Sequence, residues 1–317
     1  MSTMTNIDHD LMLLLAGIFG ILVIASVIGG ILALWYSGER RNATIDNLNA
    51  RIRGWWMICV ICVLAIVVGL VGSVILFAVM SFFALREFIT LTPTRRSDHE
   101  ALFWCFFVFI PAQYLLVGMQ WYGLFAVFIP VYVFLFLPAR IALVGDTTHF
   151  LARTAKIQWG MLVTVFAISH APALLMLEIP EYENQNIKLL LFLMIVVQMS
   201  DVLQYVFGKL WGKRPIVPKL SPNKTVEGFV GGILVSVLLG MSLFWVTPFS
   251  PREAGLMSLA ITLMGFIGGL CMSAIKRDSG VKDFGGIIEG HGGMLDRIDS
   301  LCFAAPIFFH LTRYFYT

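Results

Sequence analysis

The chain alternates between long apolar stretches and short segments that carry its charge. Stretches without Asp, Glu, Lys or Arg cover 11–38, 54–85, 101–139, 157–177, 228–251 and 254–275. Nearly all reach the roughly 20 residues that a helix needs to cross about 30 Å of hydrocarbon. The run 101–139 is long enough for two helices, and the interrupted segments 189–208 and 300–317 add two more. The pattern predicts an all-α polytopic membrane protein with about nine transmembrane helices.

Composition excludes a soluble domain. Hydrophobic residues make up 59% of the 317 residues and charged residues 13%, with a mean hydropathy of +0.87. An average soluble protein is about 25% charged. The first ten residues lack Lys and Arg, and the apolar run that follows is too long for a signal sequence, so no secretory signal is expected.

Two segments, 209–227 and 276–299, are both long and rich in ionisable groups. They flank a pair of predicted helices joined by a short turn, so both emerge on one side of the bilayer. Counting Lys and Arg places that side in the cytoplasm, because basic loops stay there. One segment disagrees: 40–53 carries four arginines, yet strict alternation of nine helices puts it outside.

The second segment combines groups suited to phosphate chemistry. Six glycines between Gly280 and Gly293 free backbone amides for an anion. Carboxylates supply the oxygen ligands that Mg²⁺ prefers, and cations pair with phosphate oxygens. The predicted metal ligands are Asp283, Asp296 and Asp299, and the cations are Lys276, Arg277, Lys282 and Arg297. We therefore predict phosphoryl or nucleotidyl transfer, although such a loop could also be a solvated face whose charges pair with one another.

Three further features have both a functional and a structural interpretation. His291, between two glycines, contacts a phosphate or lies in a surface turn. Ser221 with Pro222 predicts a helix start, whose free amides together with Lys224, Thr225 and Glu227 would bind a nucleotide. A helix start explains Ser221 equally well without a ligand.

Asp201 is an isolated carboxylate within an apolar span. A charge in hydrocarbon costs at least a few kcal/mol. We therefore expect Asp201 to face a polar cavity, a partner or a metal.

The segment from Ser273 to Asp299 resembles the signature of the phosphatidate cytidylyltransferases (CDP-diglyceride synthases), S-x-apolar-K-R-x4-K-D-x-G-x2-I-P-x-H-G-G-apolar-x-D-R-apolar-D. Glu289 stands where the family has Pro or Gly. The stretch from Ser221 to Gly228 resembles the family's second motif. Asp201 stands where the family has D-T/S-G-A-Y, but larger residues replace the small ones at 202–204.

The resemblance covers residues 200–315 and implies that CTP and phosphatidate react to CDP-diacylglycerol and pyrophosphate, with a divalent metal, in the cytoplasmic leaflet. We expect a bacterial inner membrane protein with its active site facing the cytoplasm. The predicted catalytic residues are Lys282, Asp283, Asp296, Arg297 and Asp299. The predicted substrate-binding residues are Ser221, Lys224, Thr225, Glu227, Lys276, Arg277, His291 and Asp201.

The chain divides by these predictions into N-terminal helices, 1–186, and a catalytic region, 187–317. The expected partners are CTP, a lipid phosphate and membrane lipid, without nucleic acid, and homodimer formation stays open. The alternatives are a CTP-dependent transferase or kinase acting on another lipid, and an inactive relative that binds CTP or lipid. A transporter would place ionisable groups near the bilayer midplane, whereas here they lie mainly in loops.

Overall fold

The computed structural model describes residues 9–35, 43–92, 94–286 and 292–317. Its elements are a series of helices and one two-stranded hairpin. In chain order they are α1 His9–Trp35, α2 Ala43–Val68, α3 Leu70–Thr90, α4 Arg96–Gly118, α5 Tyr122–Ala142, α6 Phe150–Met176, α7 Asn186–Trp211, β1 Pro215–Val217, β2 Ser221–Thr225, α8 Val226–Ser242, α9 Pro251–Asp278, α10 Leu295–Ile298 and α11 Leu301–Tyr316.

The all-α membrane architecture is confirmed, but the number of helices differs from the prediction. Eight described helices are long and apolar enough to cross a membrane. The shorter α8 and α11, of 17 and 16 residues, bring the described long helices to ten. The added helix comes from the run 54–85, which contains two helices rather than one. Within it, α2 ends at Val68 and α3 begins at Leu70, with Gly69 between them. Gly69 has a φ of 78°, which glycine adopts without a steric penalty.

Contacts between helices fix their directions. α1 and α2 are antiparallel, because the side chain of Asn49 donates to the carbonyl of Gly29 and the indole of Trp56 to the hydroxyl of Ser26. Asp10, at the start of α1, forms an ion pair with Lys188 at the start of α7. We call the end of the bundle with segments 212–225, 279–286 and 292–300 the charged face, and the end with 177–185 and 243–250 the opposite face.

The turn at Gly69 resolves the disagreement over the arginine-rich segment. With one more helix, α2 begins at the charged face, and Arg51 and Arg53 lie in the half of α2 nearest to it. Arg40 and Arg41 fall outside the described residues. Among the described residues, the Lys and Arg side chains of the opposite face are Lys188, Arg252 and Arg313. The described Lys and Arg residues therefore lie mainly at the charged face. With nine helices, more of them would have fallen on the opposite side.

Small residues let the C-terminal helices pack closely. A Cβ on Gly228 of α8 would lie 2.7 Å from the carbonyl oxygen of Gln204, and one on Gly232 would lie 2.8 Å from its backbone nitrogen. A Cβ on Gly268 of α9 would lie 2.8 Å from the carbonyl oxygen of Asp299. These contacts bring α7, α8, α9 and the start of α11 together at the charged face.

Candidate active site

The segment before α8 is a short hairpin rather than a helix start at Ser221. Residues 221–225 pair antiparallel with Pro215–Val217, so the predicted N-cap at Ser221 is wrong. The N-cap is Thr225, whose hydroxyl accepts a hydrogen bond from Gly228 N at 3.1 Å. Glu227 accepts from the amides of Lys213 and Arg214 at 2.9 and 3.1 Å. Thr225 and Glu227 therefore shape the hairpin that carries Lys224.

The side chain of Lys224 points inward from this hairpin. Its ammonium lies 5.0 Å from the ring centre of Phe266, and 2.7 Å from where a Cβ on Gly269 would be. A side chain at position 269 would displace it. Burial lowers the pKa of Lys224, while the charges of Asp299 and Asp201 act in the other direction. Lys224 is thus a partly buried cation facing two carboxylates.

Those carboxylates, Asp201 from α7 and Asp299 before α11, meet at Ser300. The Ser300 hydroxyl lies 3.1 Å from Asp201 Oδ1 and 3.4 Å from Asp299 Oδ1. The amide of Ser300 also donates to Asp299 Oδ1 at 2.7 Å. Burial raises the pKa of Asp299 above the usual value of an aspartate, opposed by Lys276 and Lys224. The prediction that Asp201 faces polar partners agrees with this geometry.

A second buried pair joins α9 to α10. Lys276 Nζ contacts Asp296 Oδ1 at 2.8 Å, and their side chains are 13% and 4% exposed. Asp296 Oδ2 accepts from the amides of Phe284 and Gly293 at 2.8 and 3.0 Å. Both oxygens of Asp296 are therefore engaged within the protein. We call Asp201, Lys224, Lys276, Asp296 and Asp299 the interior of the site.

The remaining predicted residues of this loop lie around the interior. Arg277, Lys282 and Asp283 are exposed, and we call them the rim. Arg277 donates to the carbonyls of Val281 and Leu220 at 3.0 and 3.4 Å, so it bridges the loop and the hairpin. His291, like the departure at Glu289, lies outside the described residues.

Arg297 is partly buried behind the interior. Gln198 of α7 donates to its carbonyl oxygen at 3.2 Å. Its guanidinium Nε is buried without a hydrogen-bond partner among the residues described. The positive charge of Arg297 also interacts electrostatically with the carboxylate of Asp201. The predicted catalytic role of Arg297 stays a prediction.

The sequence interpretation missed Glu87, which lies in α3 and reaches the same loop. It accepts hydrogen bonds from the amides of Met294 and Leu295, both at 2.8 Å. Its position at the end of an apolar stretch made it indistinguishable from an ordinary charge at a helix end. What distinguishes Glu87 is its burial, at 5% exposure, and burial cannot be read from sequence, so no sequence signal could have found it.

The carboxylates differ in how well they fit a magnesium ion. Over the described ranges, no group of three or more His, Cys, Asp or Glu side chains could hold a metal. The predicted ligands Asp283, Asp296 and Asp299 therefore do not form a single three-carboxylate metal site in the structure. Mg²⁺ is commonly held by one or two carboxylates together with substrate phosphates and water. Asp201 and Asp299 fit that arrangement, whereas Asp296 is already bonded to Lys276 and two amides.

Comparisons with known proteins match most of the chain to one family. The cytidylyltransferase family model matches residues 49–315. YnbB, an uncharacterized protein of Escherichia coli strain K12, is 43% identical over 305 residues, 95% of this chain and 97% of that protein.

Phosphatidate cytidylyltransferases from two staphylococci match a shorter part. The Staphylococcus epidermidis protein is 41% identical and the Staphylococcus aureus protein 38% identical over 129 residues, 40% of this chain and 50% of each of those proteins. The family match reaches well beyond the region in which the motifs were found. The chain therefore belongs to the cytidylyltransferase family and is a nucleotidyltransferase embedded in the membrane.

Proposed function

We propose that the protein transfers a cytidylyl group from CTP to phosphatidate, giving CDP-diacylglycerol and pyrophosphate. The observation that carries the proposal is the convergence of Asp201, Lys224 and Asp299 around Ser300. These groups lie between membrane helices at the charged face, where a water-soluble nucleotide and a lipid headgroup can meet. The names of the staphylococcal relatives support phosphatidate as the acceptor.

The chemistry needs positioning more than a general base. A phosphate monoester is largely ionised near pH 7, with a second pKa of roughly 6. One of its oxygens attacks the α-phosphorus of CTP, and the bond from that phosphorus to the oxygen bridging to the β-phosphate breaks. Both substrates are anions, so the site must offset their repulsion and stabilise the departing pyrophosphate. We assign Lys224 to the nucleotide phosphates and Lys276 to the support of the loop beside them.

A divalent metal would be held by Asp201 and Asp299. When bound, it would neutralise charge on the phosphates. Asp201 lies in α7 and Asp299 between α10 and α11, so the metal would be held where these helices meet at the charged face, beside the phosphates of CTP. Lys224 approaches the same pair from the hairpin. Asp296 would act through Lys276 and the loop amides.

The activity is tested with purified protein in detergent, given labelled CTP, phosphatidate and Mg²⁺. We expect label in CDP-diacylglycerol and release of pyrophosphate, with Asp201→Asn as the inactive control. Diacylglycerol replaces phosphatidate in a second reaction, because a lipid kinase would form CDP and phosphatidate from it. No product from phosphatidate or other lipid phosphates would contradict the proposal.

We also propose that the charged face lies in the cytoplasm of a bacterial cell. The support is the distribution of Lys and Arg, which favours the cytoplasmic side. In a variant lacking the five native cysteines, cysteines at Ser279 and Arg51 should resist an impermeant thiol reagent in intact cells. A cysteine at Asn184, on the opposite face, should react. Labelling at Ser279 in intact cells would reverse the orientation, and labelling at Arg51 alone would contradict the reversal at Gly69.

A further inference from the structure

Glu87 is a buried carboxylate that α3 presents to the loop of the active site. Its side chain lies outside the region of the sequence motifs and is 5% exposed. One oxygen, Oε1, accepts from Met294 N, and the other, Oε2, accepts from Leu295 N, each at 2.8 Å. These amides begin α10, which carries Asp296 and leads directly to Asp299. A residue of an N-terminal helix thus holds the backbone on which two interior carboxylates are placed.

Two glycines of the loop make room for this side chain. A Cβ on Gly285 would lie 2.7 Å from Glu87 Oε1, and one on Gly293 would also contact the Glu87 carboxylate too closely. At both positions, the three nearest atoms are all atoms of Glu87. Neither glycine has the positive φ found at Gly280 and Gly292. Their lack of a side chain is therefore explained by the space that Glu87 occupies.

Asp296, which follows the loop in sequence, also accepts hydrogen bonds from the loop backbone. The amides of Phe284 and Gly293 donate to Asp296, and those of Met294 and Leu295 donate to Glu87. Consecutive amides are therefore divided between two carboxylates that reach the loop from different directions. A buried carboxylate is costly unless hydrogen bonds satisfy it, and removing it leaves its buried donors without partners. Loss of Glu87 would consequently loosen this part of the loop.

We propose that Glu87 is a positioning residue for cytidylyl transfer. By fixing the start of α10, it sets Asp296 against Lys276 and Asp299 beside Asp201 and Lys224. The kinetic consequence rests on the function proposed above, whereas the hold on the loop does not. The N-terminal helices are on this view part of the active site rather than an anchor for it.

The kinetic test uses three substitutions of Glu87. Glu87→Gln keeps the size but turns an NH₂ group toward a backbone N–H, Glu87→Ala removes both acceptors, and Glu87→Asp keeps the charge on a shorter side chain. For Gln and Ala we expect kcat per folded molecule to fall roughly 10- to 100-fold, the usual effect of losing a group that orients ligands. KM for the lipid should change less than about twofold, since only the transfer step is affected. Asp should recover part of kcat.

Glu100→Gln is the matched control. Glu100 lies at the same face in α4, paired with Arg140 and largely exposed. Its substitution should leave kcat unchanged. A Glu87→Gln protein with wild-type kcat per folded molecule would overturn the proposal, even if its stability or yield were reduced.

A measurement independent of activity uses Gly293→Ala. Alone it should speed amide hydrogen exchange across 292–299, because its methyl group displaces Glu87. In the Glu87→Ala background the same substitution should have a smaller effect, since the space is vacant, and this non-additivity is the expected coupling. Additive effects of the two substitutions would contradict the proposal that Glu87 holds the loop. If wild-type protein has no cytidylyl transfer activity, the proposed function fails. The hydrogen-exchange comparison of the single and double variants still decides whether Glu87 holds the loop.

Discussion

The interior and the rim of the site contain the same kinds of side chain, and most of them come from the segment 276–299. Lys276, Asp296 and Asp299 are enclosed by helices and bonded to one another or to backbone amides. Lys282 and Asp283 are exposed. Electrostatic interactions strengthen where water is excluded, so charges of equal type are not equivalent here. Packing, rather than residue type, therefore distinguishes the charges of the interior from those of the rim.

The clearest instance is the pair of adjacent cations at the end of α9. Neighbouring residues of a helix point in directions about 100° apart. Lys276 therefore turns toward Asp296, while Arg277 turns outward and bridges Leu220 and Val281. The sequence interpretation assigned both to nucleotide phosphates. Their different surroundings suggest different roles, which substitutions can separate.

The largest effect is expected from the interior carboxylates. Asp299→Asn keeps the shape but removes the charge that faces Lys224 and would contact a metal. We expect turnover to fall more than about 100-fold, or about 2.7 kcal/mol of barrier. Asp283→Asn, the rim control, should retain more than about a third of the wild-type rate. Initial rates at saturating CTP and lipid measure both.

The opposite outcome would be equally informative. If Asp283→Asn is as inactive as Asp299→Asn while its melting temperature is unchanged, Asp283 is a ligand in the reacting complex. The original metal prediction, with Asp283, Asp296 and Asp299 together, would then be right, and the loop would have to rearrange when substrates bind.

A smaller effect, on the KM for CTP rather than on turnover, is expected from Lys224. It lies partly buried beside Asp201 and Asp299, so its loss should weaken CTP binding about tenfold, or about 1.4 kcal/mol. Lys224→Ala should therefore raise KM for CTP, with the lipid dependence moving less than about twofold. Lys282→Ala, an exposed lysine of the rim, should change neither. Equal changes in the CTP and lipid dependence of Lys224→Ala would place Lys224 in the fold or the lipid site instead.

Sequence predicted the elements of this site better than their arrangement. Asp201 and the loop were identified because charge is costly in hydrocarbon and rare in this chain. The turn at Gly69 was hidden, because no charged residue marks it within the run 54–85. The N-cap was misplaced by four residues, because Ser221 and Thr225 are both suitable caps and only pairing with β1 selects the later one.

Glu87 illustrates a different limit. Its contacts with Met294 and Leu295 are separated by more than 200 residues in sequence. Local pattern describes a helix and its exposed face, but it contains no information on which distant backbone a side chain will meet. From the sequence alone, Gly285 and Gly293 predict a backbone that is free to turn its amides toward an anion. The structure instead fills the space next to both with a carboxylate.

A smaller, more specific effect concerns pH. Burial lowers the pKa of Lys224, so the free enzyme loses this positive charge at lower pH than it loses that of an exposed lysine. Since kcat/KM reports ionisations of the free enzyme, kcat/KM for CTP should decline on the alkaline side before an ordinary lysine titrates, near pH 10.4. Lys224→Arg should move this decline to higher pH, because a guanidinium stays charged.

The control for this profile is Lys282→Arg. Lys282 is exposed, and its replacement should leave the alkaline limb where it is in the wild type. An unchanged limb in Lys224→Arg, with activity retained, would mean that another group titrates and that Lys224 is not the cation CTP meets.

The smallest effect is expected at Arg277, and it separates the two neighbouring cations of α9. Arg277→Gln loses a long-range charge and two bonds to the carbonyls of Leu220 and Val281, all in exposed surroundings where such interactions contribute little. We expect KM for CTP to rise less than about threefold, with kcat unchanged. Lys276→Gln should instead reduce kcat more than about tenfold, because it leaves the buried Asp296 without its cation. A tenfold rise in KM from Arg277→Gln would place its guanidinium on the nucleotide and extend the interior to include part of the rim.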